Sequence, residues 1–278
     1  MRHVVFLNRS KPGRLALIAG DEISPSGASA ETVALAEAFG APVFGSSWPA
    51  HIPFPTAHPL WRGNLPTKAS EIRAILESYD AVFALGGKSL ITILYSEGPA
   101  VPSACKVFQL SSDVRDLGRT YATELSCMGD IKASLSVLRP MLDRKLARHR
   151  GAIAALREKA ATDREARRAA LRDRAKSESV APVTTPFVAA AEVVRAIGPH
   201  VAIVDEAPAT MVSVARSSNP RRRASIPPVG AVASAGACRP RSAGRSVSTA
   251  NRSCRSWATV RRCIPPRLCG RRPTRDSP

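Results

Sequence analysis

Two short apolar runs, each closed by glycine, constrain this chain more than any other feature. Residues 14–20 read RLALIAG and residues 80–87 read DAVFALGG. Runs of this length, apolar without alternation and bounded by turn residues, are expected to be strands buried on both faces. Such strands belong to parallel sheets, since an antiparallel sheet with one wet face would alternate polar and apolar positions. Residues 42–44 and 106–110 supply further strands by the same reading. Helical patterns lie between them. In residues 29–40, Val33, Ala34, Leu35, Ala38 and Phe39 make one broad apolar face, with Ser29 as the expected N-cap and Gly40 as the stop. Residues 71–79 place Ile72, Ile75 and Leu76 on one side. Residues 130–146 form another helix, expected to kink or break at Pro140. Residues 51–66, rich in Pro and His and without period, read as a long irregular loop. The expected class is α/β, a parallel Rossmann-like sheet with helices on both faces.

Composition enters through charge. The 278 residues carry a formal +19, which at first suggests a nucleic-acid partner. The charge is not spread evenly. Residues 221–278 hold 14 Arg and one acid, Asp276, and residues 144–176 hold 12 basic and 4 acidic residues. The rest of the chain is close to neutral, which argues against a nucleic-acid partner. Residues 144–176 read as a charged, solvated helix or linker. Residues 185–197 form an amphipathic helix, and residues 200–206 (HVAIVDE) a strand ending in two acids. Beyond them, a stretch with no Lys, Glu or Phe cannot bury a core and is expected to be disordered. Its cysteines, Cys238, Cys254, Cys263 and Cys269, form no Cys-x-x-Cys pair, so no zinc or redox role is read there. Cys105 and Cys127 flank apolar runs and read as buried small apolar residues. No apolar run reaches the roughly 18 residues of a membrane span. No signal-peptide pattern opens the chain, so a soluble cytoplasmic protein is expected.

Six blocks occur in a characteristic order: LALIAGDEISPSGA (15–28), ETVALAEAFGAPVF (31–44), FPTAHPLWRGNLP (54–66), YDAVFALGG (79–87), KVFQLSSD (106–113) and GDIKASL (129–135). Together they resemble the central domain of thiamine-diphosphate-dependent enzymes, closest to the benzoylformate decarboxylase and acetolactate synthase group. Residues 185–210 resemble the opening of the third, cofactor-binding domain of that family. The expected organisation is a central domain (1–143), a charged helical linker (144–182), the start of the C-terminal cofactor domain (183–219) and an Arg-rich tail (220–278).

The resemblance implies thiamine diphosphate and Mg²⁺ as cofactors, a 2-oxo acid as substrate, and cleavage or ligation of a C–C bond by a lyase or transferase. In the family the cofactor supplies the chemistry. A Glu of the first domain activates it, and a Gly-Asp-Gly motif with a later Asn of the third holds metal and diphosphate. The candidate cofactor contacts in this sequence are Glu206, Ala207 and Thr210, and no catalytic or metal residue is assigned. Ile93 stands where decarboxylases of the group can carry an active-site His. Read one base over, codons for residues 256–266 permit V-G-D-G-S-A-M-Y-S-P, and those for 233–243 permit L-G-W-G-M-P-A-A-V-G. Both strings are family-like. The expectation is therefore a truncated, frameshifted fragment, inactive alone, with a homo-oligomer or a complementing domain as partner. Two alternatives stand beside it, a nucleotide (FAD or ADP) module using Gly86 and Gly87, and a basic nucleic-acid binder. Taken singly, Gly86 and Gly87 read as a tight turn, and Phe54, His58 and Trp61 as loop packing.

Overall fold

The computed structural model describes residues 14–197. The two apolar runs become β1 (Leu15–Ala19) and β4 (Ala81–Leu85). They lie side by side and parallel, with Leu15 opposite Ala81 and Ala19 opposite Leu85. β2 (Val43–Gly45) pairs with β1, and β5 (Lys106–Ser111) with β4, both parallel.

Two further strands stand where the sequence pattern predicts none. β3 (Trp61–Asn64) pairs with β2 inside the stretch read as loop, and β6 (Leu125–Met128) pairs with β5. The resulting six-stranded parallel sheet has the order β3-β2-β1-β4-β5-β6. Both additions are edge strands. β6 is held by ladder hydrogen bonds rather than by an apolar face, and β3 gives the core only Trp61, so neither leaves a period in the sequence. β6 is exposed at every position, which places Cys127 at the surface and corrects its reading as buried. Cys105 is buried as expected. Burial, helped by the Asp80 charge, pushes its thiol up to about 11.

Alternate residues of the central strands feed two cores, one on each face of the sheet. Leu17, Ala19, Leu85 and Leu110 point to one side. They meet Leu35 and Ala36 of α1 (Ser29–Phe39) and Ile131, Leu135 and Leu142 of α3 (Ile131–Leu146). Ala16, Ile18, Val82, Ala84 and Val107 point to the other, where Ile72 and Leu76 of α2 (Ala69–Leu76) cover them with Leu90, Ala100 and Val101. The expectation of a sheet covered on both faces holds.

Local signals explain most helix ends. α1 stops at Gly40, whose φ of 60° suits a residue without Cβ. Its cap is Ala28 rather than Ser29. The Thr32 amide (2.9 Å) and hydroxyl (2.8 Å) both donate to the Ala28 carbonyl, which draws Ser29 into the first turn. Asp130 caps α3 by accepting the Ala133 amide at 2.7 Å. α3 runs through Pro140 without a break. α4 (Arg150–Ser179) lays Ile153 and Ala160 into the first core. Gly40 is needed there a second time, since a Cβ would lie 3.0 Å from Leu156 Cβ and 3.1 Å from the Ile153 carbonyl. In α5 (Pro186–Ile197), Phe187 is buried, with the Arg174 guanidinium 4.7 Å from its ring centroid. Among the described residues no helix is long and apolar enough to cross a membrane.

Candidate functional site

In an open parallel sheet, ligands collect at the carboxyl ends of the strands where the chain order reverses. Here that point lies between β1 and β4, because β1 leads on to β2 on one side while β4 leads to β5 on the other. Four segments meet there: the turn after Gly20, the start of the segment after β2, Gly86 to Lys88 after β4, and Ser111 to Asp113 after β5.

Glycines let these backbones touch. The Gly20 amide donates to the Leu85 carbonyl at 2.7 Å, and the Asp21 amide to the Gly87 carbonyl at 3.2 Å. A Cβ on Gly20 would sit 2.4 Å from the Gly87 carbonyl oxygen and 2.9 Å from those of Gly86 and Leu85. Gly86 turns with φ of 78°, and its Cβ would fall 3.0 Å from Glu22 Cβ. The reading of Gly86 and Gly87 as a tight strand-to-loop turn agrees with this geometry.

The crevice so formed is filled by the protein itself. Glu22 Oε1 accepts the Ser111 hydroxyl (2.6 Å) and the Gly87 amide (3.0 Å). Its Oε2 accepts the Ser112 amide (2.8 Å) and hydroxyl (2.9 Å). Desolvation by burial would raise this carboxyl. The bonds from Ser111, Ser112 and Gly87 outweigh it and bring the pKa below the ordinary glutamate range. Glu22 thus does what a bound phosphate would do, neutralising main-chain and hydroxyl donors at the mouth of the sheet.

Neighbouring acids are also committed. Asp21 accepts the Ala50 amide at 2.7 Å, and burial raises its pKa against that bond and the Lys88 and His51 charges. Asp113 is held at about 2, first by the Arg115 side chain bonded to it and then by the Arg115 amide. With these oxygens engaged, the edge offers a cation no open carboxylate at Glu22 or Asp113. Asp116 stands beside Gly87 as well, so acids crowd this edge and repel a diphosphate; thiamine diphosphate does not fit there. Glu206, Ala207, Thr210, the strand 200–206 and the Arg-rich tail lie outside the described residues.

The loop preceding β3 is built as packing. Phe54 stacks on Trp61 at 6.0 Å and meets His58 edge-on at 5.2 Å. His58 Nδ1 accepts the Leu60 amide at 3.2 Å, which leaves the ring proton on Nε2, 3.4 Å from Glu37 Oε1. Burial lowers the His58 pKa although Glu37 opposes it, which favours the neutral ring in this packing role. Ile93 is exposed.

Sequence reasoning missed Glu22 as a site residue. Its signal was present: an acid two positions after the glycine that ends a buried strand sits at the carboxyl edge by construction.

The family model described as thiamine pyrophosphate enzyme, central domain, matches residues 4–138. The benzoylformate decarboxylase of Pseudomonas aeruginosa is 25% identical over 122 residues, which cover 44% of this chain and 23% of that protein. The sulfoacetaldehyde acetyltransferase of Castellaniella defragrans is 31% identical over 130 residues, 46% of this chain and 22% of that protein. A solved structure of a thiamine diphosphate-dependent 4-hydroxybenzoylformate decarboxylase from Rhodococcus jostii RHA1 is 27% identical, covering 46% of this chain and 24% of that one, with a TM-score of 0.44. The chain spans less than a quarter of the length of the curated relatives it matches, at 23% and 22%. Residues 4–138, just under half of the chain, thus match the central domain of the thiamine pyrophosphate enzyme family.

Proposed function

We propose that this chain carries the central domain of a thiamine diphosphate-dependent 2-oxo acid decarboxylase or carboligase, and that the domain serves as a scaffold rather than as a chemical site. The Glu22 clamp carries this reading. At the switch point of the described sheet, four donors converge on the protein's own carboxylate. A nucleotide phosphate would have to displace that carboxylate and meet its charge, so the nucleotide-module reading is disfavoured.

The chain's own candidates for cofactor contact are Glu206, Ala207 and Thr210. When bound, thiamine diphosphate supplies the carbon nucleophile and the electron sink, with Mg²⁺ anchoring the diphosphate. The family's Gly-Asp-Gly motif has no in-frame counterpart in residues 221–278, whose only acid is Asp276. We therefore expect the chain alone not to turn over 2-oxo acids. A calorimetric titration of the full chain with thiamine diphosphate, with and without Mg²⁺, tests this. Heat that does not depend on Mg²⁺, or none, is expected, and tight Mg²⁺-dependent binding would overturn the reading. The coding DNA tests the shifted frame, which must contain the family-like strings opposite residues 233–243 and 256–266.

A further inference from the structure

Three guanidinium groups gather where α4 crosses the β3 edge of the sheet. Arg62 of β3 reaches Asp163 of α4 at 3.3 Å. Asp163 is already shared, since Lys159 donates to it at 3.1 Å. Arg164 lies 3.2 Å from Glu165, and its side chain is only 18% exposed. Arg167, one turn beyond Asp163, has a buried Nη2 with no acceptor among the described residues. Burial lowers the Arg167 pKa, and the Arg62 and Arg164 charges lower it further against the pull of Asp163.

The charges do not balance. Lys159, Arg62, Arg164 and Arg167 face two carboxylates, Asp163 and Glu165, and Glu165 is also 3.5 Å from Arg168. At least two positive charges are left over in a partly desolvated setting. A buried guanidinium N–H without an acceptor is costly, and like charges held together add to that cost. Among the described residues, what the cluster lacks is a further acceptor carrying negative charge. Guanidinium forks match tetrahedral oxyanions two bonds at a time, and a dianion matches the surplus.

We propose that Arg62, Arg164 and Arg167 form a binding site for a tetrahedral oxyanion of the phosphate class, at the junction of β3 and α4. The site is separate from the Glu22 crevice, since β3 lies at the sheet edge with β2 between it and β1.

The test uses the full chain and inorganic phosphate at fixed ionic strength. Calorimetric titration should show a saturable site in the wild type, weakened about tenfold in Arg167→Met, which keeps the apolar stem and removes the fork. The Arg-rich segment 221–278 contributes equally to both proteins, so the difference isolates the cluster. Melting curves supply the second readout. Without phosphate, Arg167→Met should melt no lower than the wild type, because it removes an unpaired buried cation. With phosphate, the wild-type Tm should rise and the variant's should not. Equal affinities, no wild-type site, or equal phosphate shifts in both Tm values would overturn the proposal. So would a variant that melts several degrees lower without phosphate, since that result assigns Arg167 to packing.

Discussion

The carboxyl edge of the sheet and the face of α4 solve opposite electrostatic problems. At the edge, a single carboxylate is surrounded by donors: Glu22 takes bonds from Gly87, Ser111 and Ser112. On α4, among the described residues, guanidinium groups outnumber acceptors, and Arg167 Nη2 is left buried without one. The first region is closed because every partner is supplied by the fold. The second is incomplete because its partners stop short of its charge. A carboxylate at the topological switch point can thus satisfy the donors that a ligand would otherwise meet there, while a flanking helix keeps an unmatched charge.

Substitutions that break either arrangement should separate them. The largest effect is expected from Gly20→Ala. Its Cβ would lie 2.4 Å from a main-chain carbonyl that cannot rotate away, so β1 and β4 must part at their ends. A loss of about 3 kcal/mol or more is expected in urea unfolding. A loss below half of that would show that the edge can relax.

Glu22→Ala should follow, at about 2 kcal/mol, by orphaning two amides and two hydroxyls at a partly solvated site. The acid limb offers a finer measurement. Glu22 has a folded pKa below its unfolded value, so its contribution is complete above the unfolded value and is lost as pH falls through the folded one. Glu22→Gln should be less stable near neutrality and should show a shallower loss of stability below the ordinary glutamate range. A parallel pH profile in wild type and variant would count against the clamp.

On α4 the sign reverses. Arg167→Met should be neutral or stabilising by up to about 1 kcal/mol in the absence of anions. Lys159→Ala, which removes an exposed partner of Asp163, should change stability by less than about 0.5 kcal/mol. If Lys159 proved the more important of the two, the cluster would be an ordinary surface network.

The sequence made the centre of the fold legible and its margins obscure. β1 and β4 announced themselves because strands buried on both faces must be apolar throughout. β3 and β6 did not, since WRGN and LSCM are exposed or half-exposed and owe their pairing to neighbours. Pro140 misled for a related reason, as the packing of Ile131, Leu135 and Leu142 holds α3 together across it. Of the site, Gly86 and Gly87 were readable as a turn because glycine marks a local conformation. The Glu22 partners lie 65 to 90 residues away, and Arg62 and Asp163 are 101 apart, so neither cluster leaves a local pattern.

The pairing of β1 also sets a timetable. Leu17 finds Val43 soon after it is made, but the other flank of β1 must wait for Ala81 to Leu85. During synthesis β1, the earliest strand among the described residues, therefore stays half open while roughly a further 40 residues emerge after β2, a matter of seconds at ribosomal rates. Closing that distance carries the entropy of a long loop before any core is gained, which favours slow folding and exposes LALIA to other chains. A strand that ends up buried at the centre of the described sheet is thus vulnerable at its birth.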